Sequence, residues 1–364
     1  MIKLLTLLNR KAIKILSLLA GLVFAFGLST SAQSPTTINV SDCGSSTTLT
    51  PSGIPSGYSG LTWNDGTTGS SLTVNASGSY WWQVTGASVV ANGDFSSGNT
   101  GFSSQYTYRA IGDGLPSGGA GILQNEGTYA VNSNPQNTHS SFSSFFDHTS
   151  GNNAGKMLVV NGASVANVLV WSQNITVTPN TEYVFSVWVS SAYPTNPAQL
   201  QFSINNIPLG TTIIAPATAG NWQYYTTTWN SGNTSGSLPI GLVNKNIVAN
   251  GNDFALDDIV FAPVYRQNIN VILNPIPVLL LIATASNCGL YDLTKSIVGY
   301  DINTYNYTYK DAGGNVITSA NAQAVIQSGI YTITEQNKIT RCTSLPKTTT
   351  VTILPNPPKP GITL

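Results

Sequence analysis

"RQNINVILNPIP", residues 266 to 277, alternates polar and apolar side chains over one strand and then exits through two prolines. A matching stretch, "KTTTVTILPNPP" at 347 to 358, closes a segment that contains "SNCGLYDLTK" at 286 to 295. That segment has an earlier counterpart. "SDCGSSTTLT" at 41 to 50 matches its opening, and "SGSYWWQVTG" at 77 to 86 matches its "SGIYTITEQN" at 328 to 337. One module therefore occurs twice, yet in the first copy nothing like the closing strand follows "WWQVTG". It arrives only at residue 266. Residues 88–264 accordingly read as a guest domain inserted into a loop of the first module, which is tolerated where the guest's termini lie close together. Three consecutive domains with ragged edges is the alternative.

The expected division is a first module at 33–87 with its last strand at 266–277, the guest at 88–264 and a second module at 278–354. Residues 355–364 read as a linker or the opening of a further module. Each module shows short alternating runs broken by turn residues, as in "LTWNDGTTGSSLTV" and "YNYTYKDAGGNVIT", the pattern of a small antiparallel sandwich.

Only 8% of the 364 residues are charged, against about 25% in an ordinary soluble protein. Gly, Ser, Thr and Asn fill the spaces between apolar runs, so the expected class is all-β. The formal net charge is zero, which provides no field to gather phosphates and argues against a nucleic-acid partner.

Lys3, Arg10, Lys11 and Lys14 precede the apolar run "ILSLLAGLVFAFGL" at 15 to 28, followed by the small residues Thr30 and Ala32. Residues 1–32 read as a secretory signal cut after Ala32, which implies an extracellular or cell-surface protein. The run is short for a bilayer and no later one reaches 18 apolar residues, so no transmembrane span is expected. No cysteine stands at the cleavage site to carry a lipid anchor. The chain has three cysteines. The repeat suggests a Cys288–Cys342 bond within the second copy, with Cys43 free; two separately buried thiols is the alternative.

Within the guest, "TEYVFSVWVSS" at 181 to 191 puts Tyr183, Phe185, Val187 and Val189 on one face and Trp188 on the other. "AQLQFSINN" at 198 to 206 likewise points Leu200, Phe202 and Ile204 inward, leaving Gln201 and Ser203 outward. Trp188, Gln201 and Ser203 could form a shallow platform, the ring stacking on a sugar's C–H face and the neutral polar groups bonding its hydroxyls. Alternatively Trp188 only covers the sheet. Trp171 is a further candidate for ligand contact or framework, as are Trp222 and Trp229, and Tyr106 and Tyr108 fall in an expected rim loop.

Catalytic signatures are absent. His139 and His148 are the only histidines, no G-x-S-x-G presents a nucleophile, and neither H-E-x-x-H nor C-x-x-C occurs. "GNNAGKM" at 151 to 157 is one residue short of a phosphate loop and reads as a turn. A glycosidase would need two opposed carboxylates in a domain poor in acids. The expectation is a protein that is not an enzyme.

The order "NGDF" (92–95), "GKMLVVNG" (155–162), "WSQNITVTPNTEYVFSVWV" (171–189), "NWQYYTTTW" (221–229) and "DFALDDIVF" (253–261) resembles the galactose-binding-like jelly rolls of carbohydrate-binding module families 4 and 9. The resemblance covers about half of the mature chain and is most similar to the form in secreted surface proteins of gliding bacteria, flanked by Ig-like repeats and exported by type IX secretion. It implies a jelly-roll β-sandwich inserted in, or flanked by, two Ig-like modules. The implied function is that of a non-catalytic carbohydrate-binding surface protein or adhesin, with a neutral polysaccharide or glycan and possible other surface proteins as partners. A purely structural or protein-binding adhesin segment is the alternative. The resemblance also implies a structural Ca²⁺ beside the first and last strands, with Asp257 the first candidate ligand, then Asp94, Asp258 and Asp147. The competing expectation has Asp257 bonding backbone amides of a bulge and Asp258 facing water.

Overall fold

The computed structural model describes residues 36–114 and 119–358. The expected signal at 1–32 and the last residues, 359–364, lie outside them. The described chain forms two units, one of residues 88–264 and one of residues 36–87 together with 265–358. Strands dominate both, and among the described residues the α-helix Ser319–Ala322 is a single turn. No described helix is long and apolar enough to cross a membrane.

The 88–264 unit is a β-sandwich. One sheet orders its strands Gln223–Asn230, Glu182–Tyr193, the first half of Asp253–Asn274, Met157–Asn161, Thr128–Asn132 and Thr107–Tyr108. The other orders Ile207–Ile214, Gln199–Ile204, Gly236–Asn244 and Leu169–Val177, all antiparallel. Alternation of apolar side chains makes the core. Tyr183, Phe185, Val187 and Val189 from one sheet meet Leu200, Phe202 and Ile204 from the other, with Phe185 and Phe202 ring centroids 4.4 Å apart.

Two strands break the alternation and are buried throughout, Thr128–Asn132 and Met157–Asn161. Their outer face is covered as well, because Ile122, Leu123 and Phe142 of the preceding and crossing loop pack on Ala130, Met157, Val159, Ala192 and Ala255. A strand covered on both faces reads as a continuous apolar run, as "MLVV" does. The opening and closing motifs also meet, with Ile259 N donating to Gly93 O at 3.0 Å. A Cβ at Gly93 would collide with the Ile259 carbonyl, so that contact requires glycine.

In the second unit, residues 265–271 pair antiparallel with 78–84, and 267–274 pair parallel with 36–43. The strand after the guest thus completes the sheet begun before it, over a core of Trp63, Trp82, Val84, Ile269 and Val271. Thr284–Cys288 and Lys347–Leu354 repeat the same parallel pairing of first and last strands, over a core that includes Leu293, Tyr309, Ile333 and Val351.

The cysteine pairing differs from the sequence expectation. The disulfide joins Cys43 to Cys342, and Cys288 is free and exposed. Cys43 and Cys288 hold equivalent places, each at the end of its module's first strand. Cys43 lies in register with Asn274, whose carbonyl is 4.0 Å from the buried Cys342 Sγ, whereas Cys288 lies in register with Leu354. The bond therefore ties one copy of the repeat to the other, which pairing by repeat position could not reveal.

Candidate functional site

On the outer face of the first sheet, Trp188 sits directly opposite Tyr224 of the edge strand Gln223–Asn230. Their ring centroids are 5.3 Å apart with planes at 50°. Ser186 faces Thr226 and Val184 faces Thr228 on the same side. Alternation in "QYYTTTWN" explains the row: Tyr225 and Trp229 pack on the core, while Tyr224, Thr226 and Thr228 are exposed, Tyr224 at 46%. The outer surface of Trp188 is roofed by His148, whose ring stacks at 3.7 Å and 16°. Trp222 meets His148 edge-on at 6.0 Å and donates from Nε1 to Phe146 O at 3.0 Å.

The acids of the closing strand hold this roof. Asp257, fully buried beside Trp188, accepts at Oδ2 from His148 N (2.8 Å), Thr149 N (3.0 Å) and Thr149 Oγ1 (3.2 Å), and at Oδ1 from Asp258 N (2.9 Å). Asp258 turns at φ 46°, next to a register slip between Ser186 and Trp188. Its Oδ2 lies 2.7 Å from His148 Nδ1, and its Oδ1 accepts from Thr149 Oγ1 at 2.6 Å. Burial pushes the Asp257 carboxyl up to about 7, with the Asp258 charge adding to the rise and the Thr149, Asp258 and His148 amides opposing it. Asp257 thus bonds amides, as the competing expectation held, while Asp258 bonds His148 and Thr149 instead of facing water.

These residues do not fit a calcium ion. Ca²⁺ requires six to eight oxygens, and both Asp257 oxygens face N–H and O–H donors. Asp94 Oδ1 accepts from Ser96 N and Oγ. Asp147 is buried, accepts from Ser150 N and Oγ, and has Gly155 pressed so closely on its carboxylate that a Cβ there would overlap it. Among the described residues no three His, Cys, Asp or Glu side chains are arranged to hold a metal.

The expected platform does not assemble. Trp188 lies on the outer face of one sheet, while Gln201 and Ser203 belong to the other sheet. Because both sheets turn their apolar residues into a shared core, their outer faces point in opposite directions. Gln201 Nε2 donates to Gly210 O at 2.9 Å. Ser203, 4% exposed, lines a groove of about 230 Å³ with Gln105, Asn167 and Asn206, which contains no aromatic ring. Trp171 is fully buried in the core and is framework, with its indole N–H unpaired. Tyr106 is buried too: its hydroxyl accepts from Ala163 N at 3.0 Å, and burial raises its phenol's pKa. Tyr108 remains accessible at 39%, against Tyr129.

Sequence reasoning missed Tyr224 and the His148 roof. The alternation of "YYTTTW" marks Tyr224 as outward, but only the register with the neighbouring strand sets it beside Trp188.

No family model and no curated protein matches the chain. Its structural neighbours include carbohydrate-binding modules of several families, together with an α-L-arabinofuranosidase and the enzymatically active domain of a bacteriophage tailspike protein. It is similar to a family 16 carbohydrate-binding module, at 16% identity and TM-score 0.28, over 48% of this chain and 98% of that one. A family 4 module shares 12% identity at TM-score 0.26, over 48% and 99%. The CBM22-1 xylan-binding domain of Paenibacillus barcinonensis Xyn10C shares 16% at TM-score 0.26, over 32% and 75%.

Proposed function

We propose that the chain is a secreted, non-catalytic binder of neutral polysaccharide, which it engages through Tyr224 and the Thr226–Thr228 row. The observation that carries this function is the pairing of an exposed Tyr224 ring with a half-buried Trp188 that is itself braced by His148. A ring held in place before binding offers its face to sugar C–H groups at little entropic cost. The adjacent threonine hydroxyls offer donors and acceptors to sugar OH groups. The outward residues of the strand are uncharged, which suits a neutral ligand. The Cys43–Cys342 bond is in keeping with an oxidising, extracytoplasmic setting. The two repeated modules, of Ig-like kind, act as spacers. Binding should be weak, millimolar to micromolar, or about 4 to 8 kcal/mol.

Affinity electrophoresis of the full chain through gels containing xylan, β-glucan or galactan tests this. At least one polysaccharide should retard the protein, and Tyr224→Ala should abolish the retardation. Free migration of the native chain in every gel, or retardation unchanged in the variant, rejects the assignment.

A further inference from the structure

A second cleft in the 88–264 unit shares no residue with the Tyr224 face. It encloses about 190 Å³ between Gln124, Glu126, His139, Asn161, Tyr193 and Asp253, with Phe142 and Asn250 also in its wall. Its walls are rich in acceptors and poor in cations. Asp253 is only 6% exposed, and the one hydrogen bond to its carboxyl group among the described residues is from Gly162 N to Oδ1, at 3.3 Å. Glu126 stands exposed in the same wall, and neither carboxylate belongs to an ion pair among the described residues. Asn161 is 5% exposed; its Nδ2 donates to Leu123 O at 2.6 Å, but its Oδ1 is buried with no partner. A buried acceptor left unmatched costs about 1 to 3 kcal/mol, so the Asn161 oxygen, with one buried and one exposed carboxyl beside it, is suited to a ligand that supplies donors.

A primary ammonium carries three N–H donors, no acceptor and one positive charge. Burial raises both carboxyls, so Asp253 holds a proton at neutral pH while the cleft is empty; an arriving ammonium favours the ionised forms and releases that proton to solvent. Asp253, Glu126 and Asn161 then present three acceptor groups, and Tyr193 adds an aromatic wall for a cation. His139 contributes the opposite polarity. Its Nδ1 accepts from Ser141 N at 3.2 Å, which leaves the neutral ring's proton on Nε2, available to a ligand oxygen. Gln124, Ser141 and Asn250 add neutral polar groups around it. The volume admits one sugar ring.

We propose that this cleft binds an amino sugar with a free amine, its ammonium held by Asp253, Glu126 and Asn161. Isothermal titration of the full chain with glucosamine, N-acetylglucosamine, glucose and calcium chloride tests it. Glucosamine should bind at least ten-fold more tightly than the two neutral sugars, and Glu126→Gln and Asp253→Asn should each weaken it several-fold. Should Asp253→Asn fail to fold, Glu126→Gln at the exposed wall and the comparison of native ligands still decide. Equal affinity for all three sugars, no glucosamine binding, or unchanged binding in Glu126→Gln overturns the proposal. So does calcium that saturates the cleft and excludes glucosamine. Polysaccharide retardation through Tyr224 is read separately and is unaffected by either result.

Discussion

The imidazole of His148 lies flat on the indole of Trp188, with ring centroids 3.7 Å apart and planes inclined by 16°. Trp188 is therefore a roofed, load-sharing ring, and the neighbouring Tyr224 is the one open to solvent. Trp188→Ala should lower the stability of the 88–264 unit by about 2 to 4 kcal/mol, through lost packing and lost stacking. Tyr224→Ala should cost less than about 1 kcal/mol. Calorimetry of both variants checks this, and equal losses would contradict the division of roles.

Asp257 is expected to stabilise the fold through hydrogen bonds and not through a metal. Asp257→Ala leaves the His148, Thr149 and Asp258 amides without their acceptor and should cost about 2 to 4 kcal/mol. Complete chelation of divalent cations should leave the unfolding temperature unchanged. A fall of several degrees on chelation would show that calcium does bind there.

Stability should decline as pH rises. Burial raises the Asp253 carboxyl from 3.8 to about 8, helped by the Glu126 charge and opposed by the Gly162 amide. The folded state therefore holds a proton that the unfolded chain releases near pH 4. The contribution is complete below pH 4 and disappears as pH passes 8, at a slope of up to about 1.4 kcal/mol per pH unit. Asp257 acts in the same direction. Melting temperatures at pH 5 and pH 8 should differ less in Asp253→Asn than in the native chain, and an unchanged difference would rule Asp253 out as the cause.

One thiol per chain should react with maleimide without reduction, and peptide mapping should place it at Cys288. The same map should yield a Cys43–Cys342 cross-linked peptide. A bond spanning 299 positions constrains a long loop, so Cys43→Ser should destabilise the second unit by about 2 to 5 kcal/mol. Labelling at Cys43 would refute the pairing.

Residues 36–87 alone lack the strand 265–274 and should unfold without cooperativity. Joining them directly to 265–277 should restore a cooperative transition measurable by circular dichroism. If the short piece folds as well as the joined one, the returning strand is dispensable.

Much of this architecture was legible in sequence because it rests on periodicity. Alternation in "TEYVFSVWV" and "AQLQFSINN" set which side chains entered the core, and the doubled module with its displaced closing strand pointed to 266–277. The face of Trp188 was legible too. What covers it was not, since His148 comes from a loop forty residues earlier, and no period connects a loop to a sheet.

The sequence by itself determined the all-β class, the inward and outward faces of each strand, and the poverty of charge and of catalytic motifs, because each depends on neighbours along the chain. Tertiary structure alone decided that Gln201 and Ser203 look away from Trp188, that Tyr224 stands beside it, that Cys43 reaches Cys342, and that Glu126, Asn161 and Asp253 share a cleft. Those outcomes depend on which strand lies next to which and which sheet it joins. Such choices are made by long-range packing, where residues distant in sequence meet for the first time.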